Sequence, residues 1–507
     1  EMTVAYAQER VQFGKPIAAR QAIQHAIAIM ATQVAAARAA SDMAGRAIGA
    51  DGALDAGAIA AAKARASEAA GVCASIAHQT HGAIGFTAEH WLQFLTRRLW
   101  AWRDECGNEA FWTRRIGARV LERGADAFWP DIARGDADPA HETLRQEVRA
   151  FLATATAHMT PHDRAASWMG HDAEFSRKLA ARGWLGMTMP KRLGGHDRSP
   201  LDRHVVLEEL LAAGAPVAAH WIADRQSAPL VLRFGTPEQI DRAVPGVIRG
   251  ETYCCIGMSE PDSGSDLAAT RTRARKVEGG WRVDGTKLWT TYAHRSTFMV
   301  LFCRTDRGDG NTGTRHASTS QFLVDLDTPG ITVRPILDLA GEHHFNEVNF
   351  EDVFLPDDAL IGSEGQGWDQ VTSELALERS GPERFLSSIT LLIEMIRQLE
   401  SAPDEMAVRT LGRVTANLIV LRQMSFRVAT LLTEGQDAAL QATMVKDLGA
   451  LFEQEIPELA RSLVTVEPTL DPADGYAAVL GRTLAAAPSF SLRGGTREIL
   501  RGIIARG

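Results

Sequence analysis

The stretch that most limits what this chain can fold into is Met258-Ser259-Glu260-Pro261-Asp262-Ser263-Gly264-Ser265-Asp266, because the hydrophobic period changes there. Before it, apolar residues recur at helical spacing; after it, over 254–355, they alternate. Trp281-Arg282-Val283-Asp284-Gly285 carries an Asp-Gly turn signal, Phe298–Cys303 is a buried-strand run, and Gln321–Val324 and Val348–Phe350 read as further strands. A sheet is therefore set between helical segments. The Ser/Gly/Asp/Pro composition of 258–266 predicts a bent loop whose amides and hydroxyls are free to bond something. Such a composition usually makes only a loop, so its meaning depends on what accompanies it.

The flanking segments are helical. In 1–135, Ile23, Ile27, Met30 and Val34 predict the apolar stripe of an amphipathic helix. Asp51-Gly52 closes it, an Ala-rich helix follows through about Ile76, and a tryptophan-rich helix carries Trp100, Trp102 and Trp112. Residues 130–139, with Pro130, Gly135, Asp136, Asp138 and Pro139, read as a polar linker. Then the helical count restarts: Leu144, Val148, Phe151 and Leu152 share one helix, and 365–507 return to helices with Leu411, Val414, Leu418 and Leu421 on one face.

At 507 residues the chain exceeds one core, so several domains are expected. A net charge of −9 argues against a nucleic-acid partner, and no Lys/Arg run suggests a membrane surface. No apolar stretch approaches the ~20 residues needed to span a bilayer. Five scattered cysteines (Cys73, Cys106, Cys254, Cys255, Cys303) show no metal-ligand spacing and fit a reduced cytoplasm. His158 and His162 are separated by Pro161, which disfavours one continuous helix, and His343-His344 reads as a solvated turn, so no metal is expected.

The Glu-Pro-x-x-Gly-Ser-Asp string at 260–266, followed by Gly285-Thr286-Lys287-Leu288-Trp289-Thr290-Thr291, resembles the flavin-binding β-domain of acyl-CoA dehydrogenases. Further strings carry the same resemblance: Arg10-x-x-Phe13-Gly-Lys-Pro, Gln79-x-x-Gly82-x-x-Gly-Phe, Gly183-Trp-Leu-Gly, Pro190-x-x-x-Gly-Gly and the tail Gly495-Thr-x-Glu-Ile-x-Arg501. It implies an α+β fold: an N-terminal helical domain (136–253), a middle β-barrel-like domain (254–355) and a C-terminal four-helix bundle (356–507). An extra C-terminal-type helical bundle (1–135) from a first half precedes them. The chain thus resembles two fused dehydrogenase halves, and its non-Met start suggests a piece of a longer fusion.

The resemblance implies one FAD per chain, because each half lacks what the other keeps. Arg10, Phe13, Gln21, Gln79 and Gly82 of the first module and Met258, Ser259, Ser265, Trp289, Thr291, Thr496 and Glu498 of the second half are its expected ligands. Paired donors of an arginine suit a pyrophosphate, and a Gly turn lets amides approach it. Ala83 stands where the family usually has a second Gly, which removes one close approach.

The implied reaction is α,β-desaturation of an acyl thioester, with a dry carboxylate as base. One family position for it, before the Gly-Thr of the tail, is Gly494 here. The other, in a Leu-Glu-Arg string, is Leu377-Glu378-Arg379. Glu378 is therefore the expected base, with Glu374 and Glu383 as fallbacks, and Arg379, Gly494, Gly495 and Ser265 are expected at the acyl-CoA. Fused relatives with one FAD per pair suggest a bulky, steroid side-chain acyl group, an electron-transferring flavoprotein as acceptor, and a homodimer of fused chains. An acyl-CoA oxidase of the same fold and a non-catalytic acyl-CoA-binding scaffold stand as alternatives.

Overall fold

Alanine, not leucine, lines the central helix contact of the first module. In the computed structural model, which describes residues 1–47, 55–134, 139–306, 316–379 and 381–507, α1 (Met2–Glu9) leads through a hairpin, β1 (Val11–Gln12) and β2 (Lys15–Pro16), to α2 (Gln21–Arg46) and α3 (Ala56–His81). The buried line of α2 is Ala28, Thr32, Ala36, Ala40 and Met43, and α3 answers with a run of buried alanines. The expected stripe flanks this line instead: Ile23, Ile27 and Met30 are half-buried and Val34 is 42% exposed. Small side chains let two long helices approach closely and displace larger ones to the margins.

The tryptophans occupy two helices where the sequence suggested one. Trp100 and Trp102 lie on α4 (Leu92–Asp104) and Trp112 on α5 (Glu109–Arg123). Cys106 and Gly107, with φ of 60° and 98°, turn the chain between them. Pro130 sits inside α6 (Ala125–Ile132) rather than in a linker. Asp51-Gly52 and the linker residues Gly135, Asp136 and Asp138 lie outside the described residues.

A second unit, Ala140–Gly381, begins with α7 (Pro139–Ala155), α8 (Pro161–Ala165), α9 (Ala173–Ala181), α10 (Pro200–Ala212), α11 (Ala218–Ile222), α12 (Ala228–Phe234) and α13 (Pro237–Ile248). Thr160 caps α8 just before Pro161, so His158 and His162 share no helix. The strands follow: β3 (Cys254–Gly257), β4 (Arg273–Val277), β5 (Gly280–Lys287), β6 (Phe298–Asp306), β7 (Thr319–Asp325), β8 (Ile331–Leu337), β9 (His343–Pro356) and β10 (Leu360–Ile361). They form one sheet in the order β10-β7-β6-β4-β5-β9-β8, with β3 parallel to β6.

Strand β6 explains its own apolar run. Phe298 and Val300 pack with Val231, Val244 and Ile248 of the helices, while Met299, Leu301 and Cys303 pack with Trp281, Phe322 and Phe350. Both faces are covered, so the alternation disappears. Asp284-Gly285 is a bulge within β5, not a turn: the register with β9 shifts between Val283 and Gly285. Gly285 has φ 148°, and a Cβ there would lie 2.7 Å from Thr272 Cα. His343-His344 likewise opens strand β9 half-buried.

The unit ends with α14 (Gly367–Glu378). The chain then returns to the first unit, Glu1–Pro139 with Pro382–Gly507. It does so as α15 (Ile389–Leu399), α16 (Glu405–Thr433), α17 (Ala439–Leu463), α18 (Tyr476–Leu492) and α19 (Arg497–Ile504). Helices α5 and α16 cross at a glycine pair: a Cβ on Gly117 would lie 1.8 Å from the Val408 carbonyl, and one on Gly412 1.7 Å from that of Thr113. Helix α19 packs on α2 and α17, so first module and final bundle share one core. No described helix is long and apolar enough to cross a membrane.

Candidate active site

Half of the 258–266 loop is committed internally. Glu260 and Ser263 exchange backbone hydrogen bonds at 2.7 and 3.2 Å, and Ser263 Oγ donates to the Asp266 carbonyl at 2.7 Å. The Glu260 carboxylate is buried and accepts from the amides of Arg271 (2.6 Å) and Thr272 (2.9 Å), from the Thr270 hydroxyl and from Lys287 Nζ (2.7 Å). Lys287, wholly buried, also donates to the Met258 carbonyl at 3.0 Å. Burial raises the Glu260 pKa, but Lys287 and the hydroxyls prevail and hold it down at about 2. This anchor was not singled out from the sequence. What remains available is the tip, with Gly264 and Ser265 exposed.

Two chain segments lie side by side above this anchor. Leu288 N donates to the Ser259 carbonyl at 2.8 Å, which sets Met258 and Ser259, both half-buried, beside Trp289. Trp289 leaves β5 with φ 58° and is 57% exposed. Asn346 of β9 pins the next residue from both sides: its carbonyl accepts from Thr290 N at 3.0 Å and its Nδ2 donates to the Thr290 carbonyl at 2.9 Å. Asn346 Oδ1 in turn faces His343 Nε2 at 2.8 Å and His294 Nδ1 at 3.1 Å, whose rings stack at 3.9 Å. Thr291 is half-buried, and the buried Thr290 hydroxyl has no partner. An exposed indole, half-buried backbone at two strand ends and an orphaned hydroxyl suit the flat, hydrogen-bonding ring of a flavin.

The other expected FAD residues lie in the first unit. Arg10 and Phe13 are on the hairpin and exposed, Phe13 at 94% with φ 52°, and Arg20 Nη2 reaches the Gln12 and Phe13 carbonyls at 3.4 Å. Gln21 opens α2; Gln79 lies near the end of α3 and Gly82 caps it with φ 65°. Tyr6 draws the hairpin and the Gln79–Gly82 turn together by donating to the His81 carbonyl at 3.2 Å and stacking on its ring at 4.3 Å. Thr496 starts α19, with Glu498 exposed in its first turn. Gly494 and Gly495 precede it with φ of 71° and 95°. Arg493, before them, is held by Ser387 Oγ at 2.6 Å, Glu453 Oε2 at 2.8 Å and the Glu383 carbonyl at 3.0 Å.

Of the three candidate carboxylates, Glu378 is the last residue of α14 and is half-buried, followed by half-buried Arg379. Glu374, one turn earlier, is fully buried and accepts from Gln321 Nε2 of β7 at 2.8 Å. Desolvation, with a smaller contribution from the Glu378 charge, pushes its pKa up to about 8. Glu383 lies in the other unit, buried beside Arg384 and Arg493. A half-buried carboxylate at a helix end can take a proton from a ligand.

Comparison with known proteins fits this geometry. The acyl-CoA dehydrogenase N-terminal domain matches residues 138–251, the middle domain 255–353, and the C-terminal domain both 1–121 and 365–507. Acyl-CoA dehydrogenase FadE34 of Mycobacterium tuberculosis is 32% identical over 518 residues, covering all of this chain and 67% of the relative. Among solved structures, the ChsE4-ChsE5 complex of M. tuberculosis matches with TM-score 0.63 and 26% identity over 73% of this chain and 97% of that chain. The Tcur3481-Tcur3483 steroid ACAD matches with TM-score 0.64 and 24% identity over 74% of this chain and 97% of that chain. The loop, tail and helix motifs and their places in the fold have one owner: the chain belongs to the acyl-CoA dehydrogenase family, FAD-dependent oxidoreductases acting on CH–CH bonds.

Proposed function

We propose that this dehydrogenase desaturates a bulky acyl-CoA thioester, with a steroid side chain as acyl group, and that Glu378 removes the α-proton. The observation that carries the reading is the pair of carboxylate positions: Gly494 has no side chain, whereas Glu378 ends α14 half-buried, the environment of a usable base. FAD, when bound, takes the hydride from Cβ. Arg379, beside the base, positions the acyl-CoA, and the exposed Ser265 meets the CoA arm or the flavin edge. The residues proposed for the flavin ring are Met258, Ser259, Trp289 and Thr291, and those proposed for the rest of a FAD are Arg10, Phe13, Gln21, Gln79, Gly82, Thr496 and Glu498. Each set occurs once, so each chain binds one FAD. Losing one of two sites frees room for rings, and a solved structural neighbour is itself named a steroid ACAD. Electron-transferring flavoprotein is the acceptor in this reading, and two chains pair as a dimer.

Anaerobic titration of the flavoprotein with acyl-CoA thioesters, watched at the visible band of oxidised flavin, tests it. Bleaching by a steroid side-chain thioester but not by straight-chain ones is expected. Bleaching by straight-chain thioesters alone removes the steroid, and flavin that no thioester bleaches removes the desaturation.

A further inference from the structure

Three buried acceptors without donors belong to Glu374 and two glutamines of the elements that hold it. Glu374 Oε2 accepts from Gln321 Nε2 at 2.8 Å, but its Oε1 has no partner, nor has Gln321 Oε1 or Gln370 Oε1. All three side chains are at most 1% exposed. They are neighbours by construction: Gln370 is one turn before Glu374 on α14, its Nε2 donates to the Ile361 carbonyl at 2.7 Å, and Ile361 pairs across the sheet with Gln321. Each unmet buried acceptor costs about 1–3 kcal/mol, and a carboxylate charge here has one donor to set against its desolvation.

Among the described residues, the groups acting on Glu374 are Gln321 and Glu378, and neither is a cation. From α12, Arg233 donates to Ser373 Oγ at 2.8 Å. The π-helical turn Ala223–Ser227 brings Asp224, which bonds Arg203 at 3.0 Å and Gly186 N at 2.8 Å, and Arg225, which lies over Trp221 at 4.6 Å. From β7 the polar contact is Gln321 itself, with Asp325 exposed at the strand end. On α14, Glu378 lies one turn ahead, and its charge opposes a second one.

We propose that Glu374 is held as a neutral carboxylic acid, donating its proton to the Gln321 or Gln370 amide oxygen, and that its neutrality lets Glu378 carry the single negative charge of the site. One proton removes two orphaned acceptors and leaves no second carboxylate charge one turn from Glu378. Glu374 is then a positioning residue acting through Glu378, and its role rests on the assignment of Glu378 as base.

Infrared spectroscopy of the holoenzyme tests the protonation independently of turnover. At pH 7 the wild type is expected to show the carbonyl stretch of a protonated carboxylic acid, absent in Glu374→Gln and lost from wild type as pH rises through about 8. A spectrum lacking that band at pH 7, or a band that survives in Glu374→Gln, overturns the proposal without touching the base assignment. The pH profile of flavin bleaching by a steroid side-chain CoA thioester tests the coupling. Glu374→Gln, which keeps the site neutral, is expected to leave the acid limb of that profile unmoved. An acid limb displaced downward by about one unit means that Glu374 was ionised, and refutes the proposal. Bleaching retained in Glu378→Gln but lost in Glu374→Gln makes Glu374 the base and overturns both readings together.

Discussion

Replacing Lys287 with Met is the sharpest test of how the 258–266 loop is held. The substitution removes three hydrogen bonds, to Met258 O, Glu260 Oε1 and Thr270 Oγ1. It leaves the Glu260 carboxylate, 4% exposed, without its counter-ion. Breaking a buried pair by removing one partner costs about 3–5 kcal/mol. At about 2–4 °C per kcal/mol for a unit of this size, the melting temperature of the β-sheet unit falls by roughly 6–20 °C. The double variant Glu260→Gln/Lys287→Met should cost less than Lys287→Met alone, because it leaves no buried charge. The pair also has a pH signature. Glu260 titrates at about 2 in the fold against an ordinary 4.5, so its stabilisation is present above pH 4.5 and is lost as pH falls from there through about 2. Calorimetry of the three proteins across that range, with FAD retention measured alongside, gives the answer. A Lys287→Met protein that melts with wild type, or a double variant at least as damaged as Lys287→Met alone, would refute the argument.

Other substitutions probe separate parts. Glu378→Gln should slow flavin bleaching by about 10²–10⁴-fold while the protein stays yellow, measured by anaerobic stopped flow. Gly285→Ala forces a Cβ to 2.7 Å from Thr272 Cα at a φ of 148°, so it should lower stability by about 1–3 kcal/mol in a denaturant titration and weaken FAD retention. His220 is buried against Ser176 Oγ at 2.9 Å, and desolvation lowers its pKa to about 4. Because its folded pKa is depressed, its contribution is intact above pH 6.5 and is lost as pH falls toward 4. At most about 3 kcal/mol is involved, and His220→Gln should flatten the stability profile across that window.

The strands and most helices were legible because their signals are local. The apolar run at 298–303, the face of Leu411, Val414, Leu418 and Leu421, and the Pro161 break each depend on a few adjacent residues, and all appear as read. The candidate site was legible only through its motifs. Glu260 and Lys287 both stood inside quoted strings, yet their pairing needs β5 to return beside the loop, which no spacing reveals. Asp284-Gly285 has the composition of a hairpin turn, and only the register with β9 makes it a bulge. In α2 the larger apolar residues were taken for the core, whereas the close approach of α3 selects alanine. Gln321 reads from sequence only as a strand residue; its contact with Glu374 comes from α14 packing on β7.

Donor count explains how one residue type serves opposite ends within a single unit. Glu260 and Glu374 are both buried, Glu374 the more deeply, and desolvation pushes both carboxyls upward. Glu260 meets two backbone amides, a hydroxyl and an ammonium, and stays ionised as a fixed anchor. Glu374 meets one amide donor and rises to about 8. Glu378, one turn beyond, is half-buried, its exposure between that of Glu374 and that of a surface carboxylate. A base for thioester α-protons needs that intermediate state: dry enough to hold a proton, yet not so dry that it is never ionised. A second ionised carboxylate one turn away would work against that balance by raising Glu378 further. In the proposed assignment of Glu378 as base, a neutral Glu374 is therefore as much a condition as the burial of Glu378 itself.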